Sequence, residues 1–210
     1  VAIEHVNGRV PVMIGCSAVT TNEAVDIAEH AENSGADSLL LISPWYNKPS
    51  EEELFEHFKT VAKSVKIPIM IYNNPGVSGI DLLPAQLLEL MQYDNLDYVK
   101  ESSGDLRRVS DILKKAAPGS VFGGADDIAL ESFRLDATGW ISVVANVIPG
   151  KSQEVYTQYK AGNHDKAREI YDFYYPLSAF FESPNWIQKT KAALNIMGMN
   201  VGPCRRPRLE

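Results

Sequence analysis

Lys100 closes a short apolar run, Tyr98-Val99-Lys100, and is followed by Glu101-Ser102-Ser103-Gly104-Asp105. A lysine held in an apolar interior loses solvation, which disfavours its ammonium form. The neutral amine then attacks a ketone and forms an imine, an electron sink that stabilises a carbanion on the adjacent carbon. Tyr72 closes the preceding run, 28 positions earlier. A phenol near an imine can relay protons as the imine forms and breaks. Each residue also has a plainer reading. Lys100 can snorkel to solvent or pair with Glu101, and Tyr72 and Tyr46 can be half-buried structural tyrosines. Asp126 and Asp127 offer carboxylates to substrate hydroxyls, or equally a helix N-cap with an acid in the first turn.

Positioning these groups falls to the elements around them. Six short, mostly apolar runs read as strands: 10–15, 38–43, 68–72, 97–100, 120–123 and 139–144. Unalternated apolar runs suit strands buried on both faces. Amphipathic segments lie between them. Residues 22–34 carry Ala24, Ile27, Ala28 and Ala31 at helical spacing, with Thr21 or Asn22 as cap. Ser50 and Glu53 form a capping box ahead of Leu54, Phe58, Val61 and Ala62. Segment 84–93 opens on proline, and 106–117 is the fourth. This order predicts an α/β fold with a parallel sheet and right-handed crossovers. Beyond residue 150 the pattern is helical, over 151–161, 164–181 and about 186–198. Residues 1–150 are therefore expected to form a (β/α) barrel portion, and 151–210 its last helix and a helical extension of the same domain.

An open doubly wound sheet usually carries a glycine-rich phosphate turn after its first strand; here that strand ends in Gly15-Cys16-Ser17-Ala18. A barrel of eight βα units places catalytic groups at the carboxyl ends of its strands, where this sequence has its reactive residues. Six strands are too few to close it. The expectation is a (β/α)8 TIM barrel represented by strands three to eight, with the first two βα units outside these 210 residues.

Composition excludes several classes. The chain is 45% apolar with a net charge of −7, a globular composition that repels a phosphate backbone, so no nucleic-acid partner is expected. No apolar stretch is long enough to span a bilayer, and the first residues do not read as a signal peptide, so no membrane partner is expected and the cytoplasm is the default. Cys16 and Cys204 read as one buried and one peripheral free thiol. No His, Cys, Asp or Glu group has metal-ligand spacing, so neither metal nor cofactor is expected. The acidic pair 126–127 also argues against a phosphate site near the last strands.

Taken together, WYNKP at 45–49, IYNNPGVSG at 71–79, VKESSGD at 99–105, GGADD at 123–127 and GWISVVAN at 139–146 resemble the dihydrodipicolinate synthase / N-acetylneuraminate lyase family, over residues 8–205. The resemblance implies a (β/α)8 barrel with a C-terminal helical extension, a homotetramer built as a dimer of dimers, and a small 2-keto acid as substrate. It implies Lys100 as the Schiff-base lysine and Tyr72 as proton relay, with Tyr46 reaching into a neighbouring subunit's site. Ile141 would line the site by its backbone. Ser142, Asp126, Gly124 and Ser102 complete the expected substrate-binding set.

Three departures bear on specificity. The family's Thr-Thr-Gly-Glu type of turn, which binds the keto-acid carboxylate, is not within these residues. Dihydrodipicolinate synthases usually carry an arginine after the tyrosine strand, to meet the carboxylate of aspartate semialdehyde; that position is Val77 here, and valine makes no charge-assisted bond. The stretch ESPNWIQKTK at 182–191 departs from the common NPxPxK pattern. With Asp126 near the place where sugar-acid lyases of the family hold hydroxyls, the leading expectation is a lyase acting on a hydroxylated 2-keto (sugar) acid. The alternatives are 4-hydroxy-tetrahydrodipicolinate synthase, condensing pyruvate with aspartate semialdehyde, and a non-catalytic barrel that binds a partner.

Overall fold

Strands β3 (Ile69–Asn73) and β4 (Tyr98–Glu101) pair in parallel, with Tyr72 opposite Lys100 and Asn73 opposite Glu101. The 28-residue step from Tyr72 to Lys100 is therefore the register of this strand pair. The computed structural model describes residues 1–209. Strand β1 (Met13–Gly15) pairs in parallel with β2 (Ser38–Ile42), and β2 with β3. The fifth and sixth strands are β5 (Val121–Gly123) and β6 (Gly139–Trp140). The expected α/β class with a parallel sheet is what the chain adopts.

The chain divides into two compact units. The first is Val1–Phe122 with Asp136–Thr138, and the second is Gly123–Leu135 with Gly139–Glu210.

In the first unit the two-residue period of the strands sorts side chains onto two faces. Leu39, Leu41, Ile69, Ile71, Val99 and Val121 are fully buried. They form the core with α2 (Thr21–Asn33), α3 (Glu51–Ser64), α5 (Pro84–Leu90) and α6 (Arg107–Leu113), whose inward residues Ala24, Ala28, Phe58, Val61, Leu87, Leu90 and Ile112 are likewise inaccessible. The opposite face carries the half-buried Ser38, Leu40, Tyr72, Tyr98 and Phe122.

Ser50 and Glu53 form the expected capping box on α3. The cap of α2 is Thr20, one residue before the expected positions, because Glu23 closes a reciprocal box with it. Two short helices escape the periodicity argument, α1 (Ala2–Val6) and α4 (Pro75–Ser78), each little more than a turn. Cys16 is fully buried, its backbone N–H bonded to the Leu40 carbonyl, and burial pushes its thiol up to about 12. His57 on α3 is 4% exposed; its Nδ1 lies 2.9 Å from the Thr21 hydroxyl, and its Nε2 is buried without a partner. Burial holds this imidazole below its ordinary value.

The second unit contains α7 (Ala129–Arg134), α8 (Pro149–Lys160), α9 (His164–Phe181) and α10 (Trp186–Ile196). Phe133 is its aromatic hub, with Trp140, Tyr156 and Tyr159 ring centroids at 5.3, 5.8 and 5.4 Å. Gly123 is required here, since a Cβ would stand 2.9 Å from the Ser132 hydroxyl.

The sixth strand is shorter than its apolar run predicts, ending at Trp140 rather than 144. Asp126 is the cause. Its carboxylate accepts from Trp140 Nε1 at 2.8 Å, Ser142 Oγ at 2.5 Å, Val143 N at 2.8 Å and Val144 N at 2.9 Å. Two consecutive backbone N–H groups drawn to one carboxylate cannot serve a strand ladder, and the chain curls into a 3-10 turn over Val144–Asn146. Tyr171 fixes the same residue from α9 by donating to the Asp126 carbonyl at 2.7 Å.

Two stability tests follow. Asp126→Ala strands four buried or half-buried donors and is expected to cost on the order of 3–5 kcal/mol, against about 1 kcal/mol for Ser142→Ala, both measured by urea denaturation. For His57 the folded value lies below the unfolded 6.5, so its contribution is intact above pH 6.5 and is lost as pH falls through the lower folded value. The drop in unfolding free energy between pH 7.5 and 5.5 is therefore expected to shrink in His57→Gln; an unchanged drop refutes the assignment.

Candidate active site

The first unit brings Lys100, Tyr72 and Ser102 to neighbouring strand ends. Lys100 is 8% exposed, and its Nζ stands 3.9 Å from the centroid of the Tyr72 ring. The ammonium thus lies on the face of the phenol, a favourable cation–π placement, rather than at its hydroxyl.

Glu101 does not neutralise Lys100. Next in sequence, it points to the other face of β4, where its Oε2 accepts from Asn73 Nδ2 at 3.0 Å and its Oε1 from Ser103 N at 2.6 Å. Asn73 continues the network, donating to Asp81 at 3.3 Å and accepting from Leu82 N at 3.0 Å. Arg108 closes it with two bonds to Asp81, at 2.5 and 2.8 Å. The guanidinium holds the Asp81 carboxyl below its usual range. This network ties the ends of β3 and β4 together from behind and leaves Lys100 without an ion-pair partner in its unit.

The Tyr72 hydroxyl accepts from Asn74 Nδ2 at 2.8 Å. The other end of that amide is committed, since Asn74 Oδ1 accepts from Val77 N at 3.2 Å and caps α4. The Asn74 NH2 group must therefore face the phenol, and the phenol's own hydrogen remains available to another acceptor. Ser102 presents a buried hydroxyl with no partner. Tyr46, at the end of the β2 segment, is 79% exposed.

In the second unit, Gly124 follows β5 without a side chain, and the Ile141 N–H donates to the Gly123 carbonyl at 2.9 Å. Asp126 is 1% exposed. Its four donors fill the acceptor sites of a carboxylate. Ser142 gives its proton to Asp126 and accepts from Ala145 N at 2.9 Å. Asp126, expected to meet substrate hydroxyls, and Ser142, expected to touch substrate, are thus turned to each other and to the backbone. Desolvation, then the nearby Asp126 and Glu131 charges, hold Asp127 above the usual carboxylate range. Among the described residues no three His, Cys, Asp or Glu side chains gather so as to hold a metal ion. Among the described residues no helix is long and apolar enough to cross a membrane.

Asn73 and Asn74 went unremarked in the sequence, and Glu101 was read there only as a possible partner of Lys100. For Asn74 a signal existed, because asparagine directly before a proline at a strand end is a helix-cap pattern. The inward turn of Glu101 was implicit in the two-residue alternation once Lys100 was assigned to the other face.

The chain matches the family model described as "Dihydrodipicolinate synthetase family" over residues 1–210. It is 41% identical to the 4-hydroxy-tetrahydrodipicolinate synthase of Thermoanaerobacter sp. (strain X514), over 99% of this chain and 71% of that protein. The enzyme of that name from Methanothrix thermoacetophila is 41% identical over 94% of this chain and 68% of its own length. The crystal structure of dihydrodipicolinate synthase from Aquifex aeolicus superposes with a TM-score of 0.94 at 34% identity, covering 100% of this chain and 72% of that one. YagE, an E. coli K12 prophage protein of the same family solved in complex with pyruvate, superposes with a TM-score of 0.93 at 28% identity over 99% of this chain and 72% of its own. With a family model matched end to end and a bare, buried lysine against a tyrosine ring, this chain belongs to the dihydrodipicolinate synthetase family of Schiff-base lyases.

Proposed function

We propose that the chain works as a 4-hydroxy-tetrahydrodipicolinate synthase, joining pyruvate to aspartate semialdehyde through an imine on Lys100. The observation that carries this is Lys100 itself, buried, unpaired within its unit and in register with Tyr72. The amine attacks the ketone carbon of pyruvate, water leaves, and the imine draws electrons from the adjacent methyl carbon as that carbon gives up a proton. The resulting nucleophile adds to the aldehyde. Tyr72, whose hydroxyl hydrogen is free while Asn74 holds its oxygen, is the group to move protons at these steps. Ser102 offers its unpartnered hydroxyl to bound substrate. A Tyr46 left 79% exposed suits a role in a neighbouring copy. The (β/α)8 barrel with strands three to eight in this chain, the dimer-of-dimers tetramer and the cytoplasmic setting belong to the same proposal.

The hydroxylated keto-acid reading gives way to this one. It leaned on Val77 and on Asp126 as a hydroxyl partner, and the Asp126 carboxylate is spent within the protein. The relatives' names point the same way, and one solved relative carries pyruvate.

Incubation with pyruvate and borohydride, followed by peptide mass mapping, is expected to place the reduced adduct on Lys100, and Lys100→Arg to abolish it. An adduct elsewhere, or none, sinks the proposal. Tyr72→Phe is expected to lower condensation with aspartate semialdehyde by roughly 100-fold or more, the scale of a lost proton-transfer group. Hydroxylated 2-keto acids are expected to release little pyruvate in the same assay.

A further inference from the structure

Aspartate semialdehyde carries a carboxylate as well as the reacting aldehyde, and an anion entering a partly desolvated site needs a fixed positive charge. The turn after the Tyr72 strand supplies none, since Val77 is apolar and 63% exposed. Of the basic residues near the strand ends in the first unit, Arg107 is bound by two bonds to Asp105, and Arg108 by two bonds to Asp81. Lys100 is committed to the imine. Lys48 alone of this group is left, and it has no ion-pair partner in its unit.

Its placement is specific. Lys48 belongs to the segment that follows β2 and lies against Gly79, the left-handed residue (φ +68°) that ends α4. A Cβ on Gly79 would stand 3.3 Å from Lys48 Cε and 3.6 Å from Nζ. The bare glycine thus lets the ammonium settle on the turn that begins two residues after Tyr72. The same turn carries Asn74, the partner of the Tyr72 hydroxyl, so one four-residue helix connects the phenol and the unpaired charge.

We propose that Lys48 is the specificity-determining cation of this site, binding the carboxylate of the aldehyde substrate in place of any charge at Val77. This deepens the synthase reading and rests on it.

The test separates the two claims. Borohydride trapping of pyruvate on the unaltered chain is run first; without an adduct on Lys100 the synthase reading and this proposal fall together. With the adduct in hand, Lys48→Gln is expected to raise KM for aspartate semialdehyde ~10- to 100-fold, the scale of one charge-assisted bond, with kcat within about 2-fold. An exposed lysine without a partner should be replaced at little cost to folding, which far-UV circular dichroism and the thermal midpoint check. The double variant Lys48→Gln with Val77→Arg is expected to recover most of the lost KM by returning a positive charge to the same turn. A KM for the aldehyde that does not change in Lys48→Gln overturns the proposal while leaving the synthase reading intact. A loss confined to kcat overturns it equally, because it would mark Lys48 as acting on the chemistry and not on the bound carboxylate.

Discussion

Alternation along a single strand is the constraint from which the site follows. Lys100 and Glu101 are neighbours of opposite charge, and in a flexible chain they would sit within reach of each other. A strand forbids this by sending successive side chains to opposite faces. The parallel register then gives each face its own partner from β3: Tyr72 for Lys100, Asn73 for Glu101. One face receives a lysine with nothing to neutralise it, and the other a carboxylate held by Asn73 and the Ser103 backbone. The reactive group and the group that braces it are thereby made from adjacent residues without interfering.

The two buried carboxylates, Glu101 and Asp126, do the same kind of work in the two units. Each gathers donors from segments that leave a strand end, and each fixes a loop whose backbone would otherwise be free to wander. Their cost of desolvation is offset by hydrogen bonds from groups that would themselves be orphaned without them. Asp126 shows how far this reaches, since its pull on Val143 and Val144 ends a strand that the local sequence would extend. Buried acids in this chain read better as architects of loops than as ligands.

The parallel order and the pairing of Tyr72 with Lys100 were legible because they rest on local pattern: apolar runs of strand length, capping boxes and the 28-residue step between those two residues. His164–Phe181 was readable to the residue for the same reason. What was not legible depends on long-range partners. The shortness of β6 is decided by a carboxylate at position 126, and Thr20 wins the α2 cap because Glu23 reaches back to it. The assignment of Asp126 to substrate hydroxyls came from position near a strand end, which says where a side chain starts and nothing about which donors surround it. Ser142 went the same way, its hydroxyl consumed by a neighbour 16 residues away.

Burial also sorts the two cysteines of the chain. Cys16 has no accessible surface, and burial pushes its thiol well above the usual range, so it stays protonated and inert at neutral pH. Cys204 is partly accessible. Among the described residues Cys204 is therefore the thiol that an alkylating reagent, a fluorophore or a spin label reaches first.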